Sequence, residues 1–167
     1  MTAAEYLALP EEKPYLEYVD GVVLQKPMAN AAHGRIVRRL DARFDQYIER
    51  HGGDAGPERR VAFGGHFLLP DAAYWAVGRP SGDDSLPSVA VEVRSPGQTM
   101  AELREKCRAF RRSGVPTCWL IDPERRSVEL FEGDRDGVEL AAGGTLVSVE
   151  MPEFALPLPE LFAVLES

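Results

Sequence analysis

Residues 89–123 read VAVEVRSPGQTMAELREKCRAFRRSGVPTCWLIDP. Val89–Val93 is a short apolar run of the kind expected for a strand covered on both faces. Ser95-Pro96-Gly97 breaks it. Gln98–Ser113 then reads as a helix, with Gly114 as its C-terminal stop. Thr117–Ile121 is again apolar, and Asp122-Pro123 closes it. Strand, helix, strand in that order is a βαβ unit, so the two strands are expected to lie as parallel neighbours.

Working outward from this unit, Tyr15–Gln25 (YLEYVDGVVLQ) carries Asp20-Gly21 between two apolar runs. A two-residue hairpin turn needs positive φ at both central positions, which this pair supplies. Ala31–Arg50 reads as a helix, with Ile36, Val37, Leu40, Phe44, Tyr47 and Ile48 at helical spacing and Gly52-Gly53 at its end. Val61–Leu69 is strand-like but contains Gly64-Gly65, which suggests a bulge or a close backbone approach. Ala72–Val77 follows Pro70-Asp71 as a further strand, and the Pro-, Gly-, Ser- and Asp-rich stretch 78–87 is a loop. Beyond the βαβ unit, Ser127–Phe131 and Val138–Ala142 suit a hairpin, and a short helix is expected near Pro159–Leu165.

The chain has 167 residues, 44% of them hydrophobic and 28% charged. That suits one ordered domain over residues 1–167 and argues against disorder. No run approaches the ~20 apolar residues of a membrane span, and the first residues have no signal-peptide pattern. A cytoplasmic location follows as the expectation, with no membrane partner. Cys107 and Cys118 lack metal-type spacing and read as reduced, buried fillers. The net charge of −8 counts against a protein that coats nucleic acid non-specifically. It leaves room for a carboxylate metal site with a local basic face.

Glu92 is the one charged residue in VAVEV. A buried carboxylate needs a cation or a set of hydrogen bonds. Asp71 stands at the start of another strand, and the two could meet at one point of a sheet. Two carboxylates make a hard-oxygen site suited to Mg²⁺; the alternative is a turn aspartate and an edge-strand glutamate facing water. On the second helix Met100, Leu103, Cys107 and Phe110 form an apolar arc, while Arg104, Arg108, Arg111 and Arg112 form a basic one. Lys106 lies about 40° from Phe110 on the helical wheel, so it flanks the buried face. There it can either snorkel or stabilise charge on a phosphate beside the carboxylates. Arg94, two residues after Glu92, is a second candidate cation on the same strand face.

Pro70-Asp71 followed by Glu92-Val93-Arg94 resembles the PD-(D/E)XK nuclease superfamily. The wider set is similar to the Uma2 family of restriction-endonuclease-like proteins: Leu16-Glu17-Tyr18-Val19-Asp20-Gly21, His33-Gly34-Arg35-Ile36-Val37, Pro70-Asp71-Ala72-Ala73-Tyr74-Trp75, Val91-Glu92-Val93-Arg94-Ser95-Pro96, Glu105-Lys106, and Gly114-Val115-Pro116 through Trp119-Leu120-Ile121-Asp122-Pro123. The resemblance implies an α/β fold with a restriction-endonuclease-like core, a central mixed β-sheet flanked by helices, and an N-terminal β-hairpin. It implies Mg²⁺, with Mn²⁺ as a substitute, held by Asp71, Glu92 and the backbone carbonyl of Val93. It also implies that the motif lysine has moved from the strand to the helix, at Lys106. The chain departs from the pattern in having Arg94 at the strand position, where arginine is a poor proton acceptor, and Phe110 where tyrosine is common.

The resemblance favours a place near the cleft for His33, which the spacing alone equally allows as a packed core histidine. Glu17 is a possible outer carboxylate, although a solvated strand residue is the commoner meaning. The arginine arc is most simply a solvated helix face, and Trp75 and Trp119 are core residues. The function expected is Mg²⁺-dependent endonucleolytic hydrolysis of phosphodiester bonds in DNA by Asp71, Glu92 and Lys106, in a homodimer. The competing expectations are an inactive domain of the same fold that binds nucleic acid or protein, and a hydrolase of another phosphoester.

Overall fold

The computed structural model describes residues 1–13 and 15–166. In chain order the elements are α1 (Ala3–Leu7), β1 (Leu16–Val19), β2 (Val22–Gln25), α2 (Ala31–His51), β3 (Asp54–Gly56), β4 (Val61–Phe63), β5 (His66–Leu68), β6 (Ala72–Trp75), β7 (Val89–Val93), α3 (Met100–Ser113), β8 (Thr117–Asp122), β9 (Ser127–Glu132), β10 (Arg135–Glu139), β11 (Thr145–Leu146), β12 (Leu156–Pro157) and α4 (Leu158–Ala163). The central sheet has the order β10-β9-β8-β7-β6-β3, and a second sheet has the order β2-β1-β5-β4. The pair β7–β8 is parallel, as the βαβ reading requires, with Val91 opposite Trp119 and Glu92 opposite Leu120. Its neighbours β6 and β9 are antiparallel to it, so the sheet is mixed. Among the described residues no helix is long and apolar enough to cross a membrane.

The two long helices cover opposite faces of the central sheet. Alternation along β7 divides its side chains. Val89, Val91 and Val93 pack with Ile36, Leu40, Phe44 and Tyr47 of α2. Ala90 packs with Leu103, Cys107 and Phe110 of α3, together with Cys118 and Leu120 of β8. Glu92 shares the parity of Ala90 and therefore faces α3. Trp75 and Trp119 are both buried core residues, and Cys107 and Cys118 are free and buried.

Local chemistry explains where the elements start and stop. Asn30 caps α2 by accepting the His33 N–H at 2.9 Å, which fixes His33 in the first helical turn. The helix α3 begins at Met100, two residues later than the spacing suggests, because Thr99 caps it. Thr99 and Glu102 form a reciprocal capping box, and Gly114 ends the helix in the left-handed region at φ 108°. Asp20 and Gly21 take φ of 51° and 78° and close the β1–β2 hairpin as expected. Gly64-Gly65 is a correction. The pair does not bulge one strand; it turns the chain between two, β4 and β5, which pair antiparallel. With φ of 53° and 80°, both glycines satisfy the same turn requirement as Asp20-Gly21. The strand expected over Ala72–Val77 stops at Trp75, and the last helix is Leu158–Ala163.

One helical carboxylate is placed against its own interest. Asp41 Oδ1 is buried without a hydrogen-bond partner, and burial, then the charge of Asp45, pushes its pKa up to about 6. The native state therefore holds that proton more tightly than the unfolded chain. The stability this gives is complete below about pH 4 and is lost as pH rises through 6. Asp41→Asn is expected to raise the melting temperature at pH 8 and leave it unchanged at pH 4. The gain is about 1 kcal/mol, because water still reaches part of the side chain. Thermal denaturation at the two pH values checks it, and an equal shift at both would contradict it.

Candidate active site

The end of β7 and the residue before β6 bring the two acidic positions together. The Asp71 N–H donates to the Val91 carbonyl at 2.9 Å, extending the β6–β7 ladder by one bond. Its side chain folds back so that Oδ2 accepts the Val93 N–H at 2.7 Å. In an extended strand the N–H and C=O of one residue point to the same side. The Val93 carbonyl is thus directed toward Asp71, on the side where its own N–H is bound. Asp71, one residue before β6, thus turns its carboxylate to the end of β7, the strand that carries Glu92. Both carboxylates are buried, and both line one cavity of about 330 Å³ with Lys26, His33 and Glu58.

Lys106 reaches this point from α3. Its Nζ lies 2.8 Å from Glu92 Oε1 and 2.8 Å from Glu17 Oε2. Apart from this ion pair, Glu92 Oε1 is buried with no hydrogen-bond partner among the described residues. Glu17 is a correction to the solvated-strand expectation. It is 8% exposed, and its Oε2 also accepts the Leu69 N–H at 2.7 Å. The reason is the second sheet: β1 pairs with β5, which carries Glu17 over the chain just before Asp71.

Lys26 is the residue that spacing did not reveal. Its Nζ donates to Asp71 Oδ1 at 2.9 Å, to Glu58 Oε2 at 2.8 Å and to the Leu69 carbonyl at 2.6 Å. Leu69 is thus held at both ends, its N–H by Glu17 and its carbonyl by Lys26, and this fixes Pro70-Asp71. His33 also approaches, with Nε2 3.3 Å from Asp71 Oδ1 and Nδ1 buried without a partner. His33 thus lines the same cavity as the two carboxylates.

The charges sort into two groups. Burial pushes the Asp71 carboxyl up, but Lys26 and then His33 overcome this and hold it well below the usual carboxylate range. Burial also pushes Glu92 up, and Lys106 only partly offsets it, leaving its pKa at about 8. Burial lowers the Lys106 pKa, while Glu17 and Glu92 more than restore it, so the net direction is upward and the ammonium stays charged.

Arg94 does not join this group. The strand ends at Val93, so side-chain alternation no longer applies. The guanidinium turns to the Gln98 carbonyl and to Glu124 and Asp122, with Nη1 2.9 Å from Glu124 Oε2. Three of the four arginines of the α3 arc are engaged within the fold. Arg104 makes a bidentate pair with Glu129, Arg108 pairs with Glu105 and Asp136, and Arg111 binds the carbonyls of Pro116 and Gly133.

A mixed sheet flanked by helices, with an Asp–Glu pair at adjoining strand ends and a lysine from the following helix, defines a restriction-endonuclease-like protein. The Uma2 family model, described as "Putative restriction endonuclease", matches residues 3–163, and the chain belongs to this family. The fold is also similar to a crystal structure described as a "putative nuclease belonging to DUF820" from Anabaena variabilis ATCC 29413. The TM-score is 0.87 at 24% identity, over 99% of each chain. No curated protein matches this sequence.

Proposed function

We propose that this protein is a Mg²⁺-dependent endonuclease that hydrolyses phosphodiester bonds in DNA. The observation that carries the reading is that Asp71 and Glu92 line one cavity, with the Lys106 ammonium 2.8 Å behind Glu92 Oε1. Two carboxylates and a carbonyl suit Mg²⁺, which is content with one or two carboxylates and keeps several waters. Glu92 Oε1 lacks a donor. Four carboxylates, Glu17, Glu58, Asp71 and Glu92, stand against the two ammonium groups of Lys26 and Lys106, an excess of acidic groups that suits a bound cation.

Asp71, Glu92 and the Val93 carbonyl would hold the ion, which would lower the pKa of a bound water and neutralise charge on the phosphate. Lys106 keeps a full positive charge beside Glu92, where it can bind a non-bridging phosphate oxygen or orient the attacking water. Glu17 holds that ammonium in place. His33 and the Val93 N–H hold Asp71 in one orientation. Burial of the whole group strengthens each of these interactions relative to water.

Supercoiled plasmid, single-stranded DNA and RNA with the purified protein form the test. Nicking of DNA in Mg²⁺ is expected, with loss in EDTA and a fall of about 10³-fold or more in Asp71→Asn. Faster cleavage of RNA would replace the substrate. Mn²⁺ binding without cleavage of any of the three would favour a binding module of the same fold.

A further inference from the structure

We infer that Lys26 is a tethered counter-cation that competes with a divalent ion for Asp71 and thereby sets the metal affinity of the site. This rests on the metal reading proposed above. An ammonium has three protons, and Lys26 gives one each to Asp71 Oδ1, Glu58 Oε2 and the Leu69 carbonyl. The group is therefore fixed, and at 9% exposure it is shielded from solvent. Its backbone is pinned as well, because the Lys26 N–H donates to the Tyr15 carbonyl at 2.9 Å.

The oxygen it occupies matters. Asp71 Oδ2 accepts the Val93 N–H, and Oδ1 is the oxygen that Lys26 and, at 3.3 Å, His33 Nε2 approach. Lys26 lies 2.9 Å from that atom. A Mg²⁺ ion would bind it at about 2.1 Å, and the two positive charges would repel at close range in a buried cavity. Lys26 has a second carboxylate to keep: the Glu58 side chain is 25% exposed, and it lines both the site cavity and a second one. The side chain can release Asp71 while keeping Glu58. The arrangement neutralises Asp71 when no metal is bound, and it demands that an entering cation outbid a charge already present.

Calorimetric titration with Mn²⁺ compares wild type with Lys26→Met, which keeps the length of the side chain and removes its charge. Binding about tenfold tighter or more in the variant is expected. Equal or weaker binding overturns the inference while leaving the metal reading intact, since Lys26 would then serve only to position Asp71. Absence of Mn²⁺ binding in both proteins removes the metal reading and the inference together. Should Lys26→Met fail to fold, ammonium ¹⁵N NMR on wild type decides the matter. The buried Lys26 Nζ–H signal, assigned by its absence in Lys26→Arg, is expected to shift or exchange-broaden as Mg²⁺ is added. A signal unmoved at saturating Mg²⁺ overturns the inference.

Discussion

Glu92→Gln is expected to abolish Mg²⁺-dependent cleavage, by about 10³-fold or more, and at the same time to raise the melting temperature of the metal-free protein. Both effects have one cause. Glu92 is buried at the end of an otherwise apolar strand, and its Oε1 receives no hydrogen bond. Loss of water pushes its pKa to about 8, against an ordinary value of 4.5. The native state thus binds this proton more tightly than the unfolded chain does. The stability associated with the protonated form is complete below pH 4.5 and disappears as pH rises through 8. Glutamine imitates the protonated acid at every pH. Its advantage should be absent near pH 4.5 and reach on the order of 2 kcal/mol at pH 9, or several degrees in melting temperature for a chain of this size. Scanning calorimetry in EDTA at both pH values measures it. A lower melting temperature at pH 9 would mean that the Lys106–Glu92 pair stabilises the fold, and that the site was not built at a cost in stability.

The parts of this fold that were legible in the sequence are those whose information is local. VAVEV, the arc Leu103-Cys107-Phe110 and TCWLI give the βαβ unit because their periodicity and length are set by the elements themselves. Asp71 and Glu92 could be paired for the same reason. Each stands at or beside the end of an apolar strand, and lone carboxylates on adjacent strands can meet at one point of a sheet. Lys106 could be placed because a helical wheel needs only its own helix. The misreadings share a different origin. Gly64-Gly65 serves a bulge or a turn equally well until the pairing of its flanking runs is known, and here they pair with each other as β4 and β5. Arg94 was assigned by alternation, which fails one residue past the end of β7, where Glu124 and Asp122 offer better partners.

Lys26 and Glu58 were not legible at all. Lys26 follows the last residue of β2, and Glu58 sits in the connection between β3 and β4. Neither position has a period to break. Their meaning comes from the packing of the second sheet against the entrance to Asp71, a contact between segments that pairwise spacing does not encode. Glu17 is intermediate. Its strand was recognised, but whether a residue of a two-stranded hairpin is buried depends on the strand that covers it, and here that strand delivers the Leu69 N–H.

Lys106→Met is expected to produce the largest loss of stability of any substitution in the site, together with a loss of cleavage of about 10²-fold or more. The ammonium lies 2.8 Å from a carboxylate oxygen on each of Glu17 and Glu92, at 14% side-chain exposure. Methionine fills the volume, so no cavity is created and packing is a minor factor. What changes is that two buried carboxylates face each other without the cation between them. Removing one partner of a buried ion pair costs about 3–5 kcal/mol, because the remaining charge is stranded. Glu17 keeps the Leu69 N–H, but Glu92 Oε1 has no donor to fall back on. The deficit should therefore be greatest above pH 8 and shrink at pH 5, where Glu92 takes up a proton. It should also shrink in the double variant Glu17→Gln, Lys106→Met, since one of the stranded charges is gone; coupling of about 1–3 kcal/mol is expected for groups in direct contact. Urea denaturation of the two single variants and the double variant at pH 5 and pH 8.5 gives the cycle. If Lys106→Met were as stable as wild type at the higher pH, the cation would not be holding the two acids together.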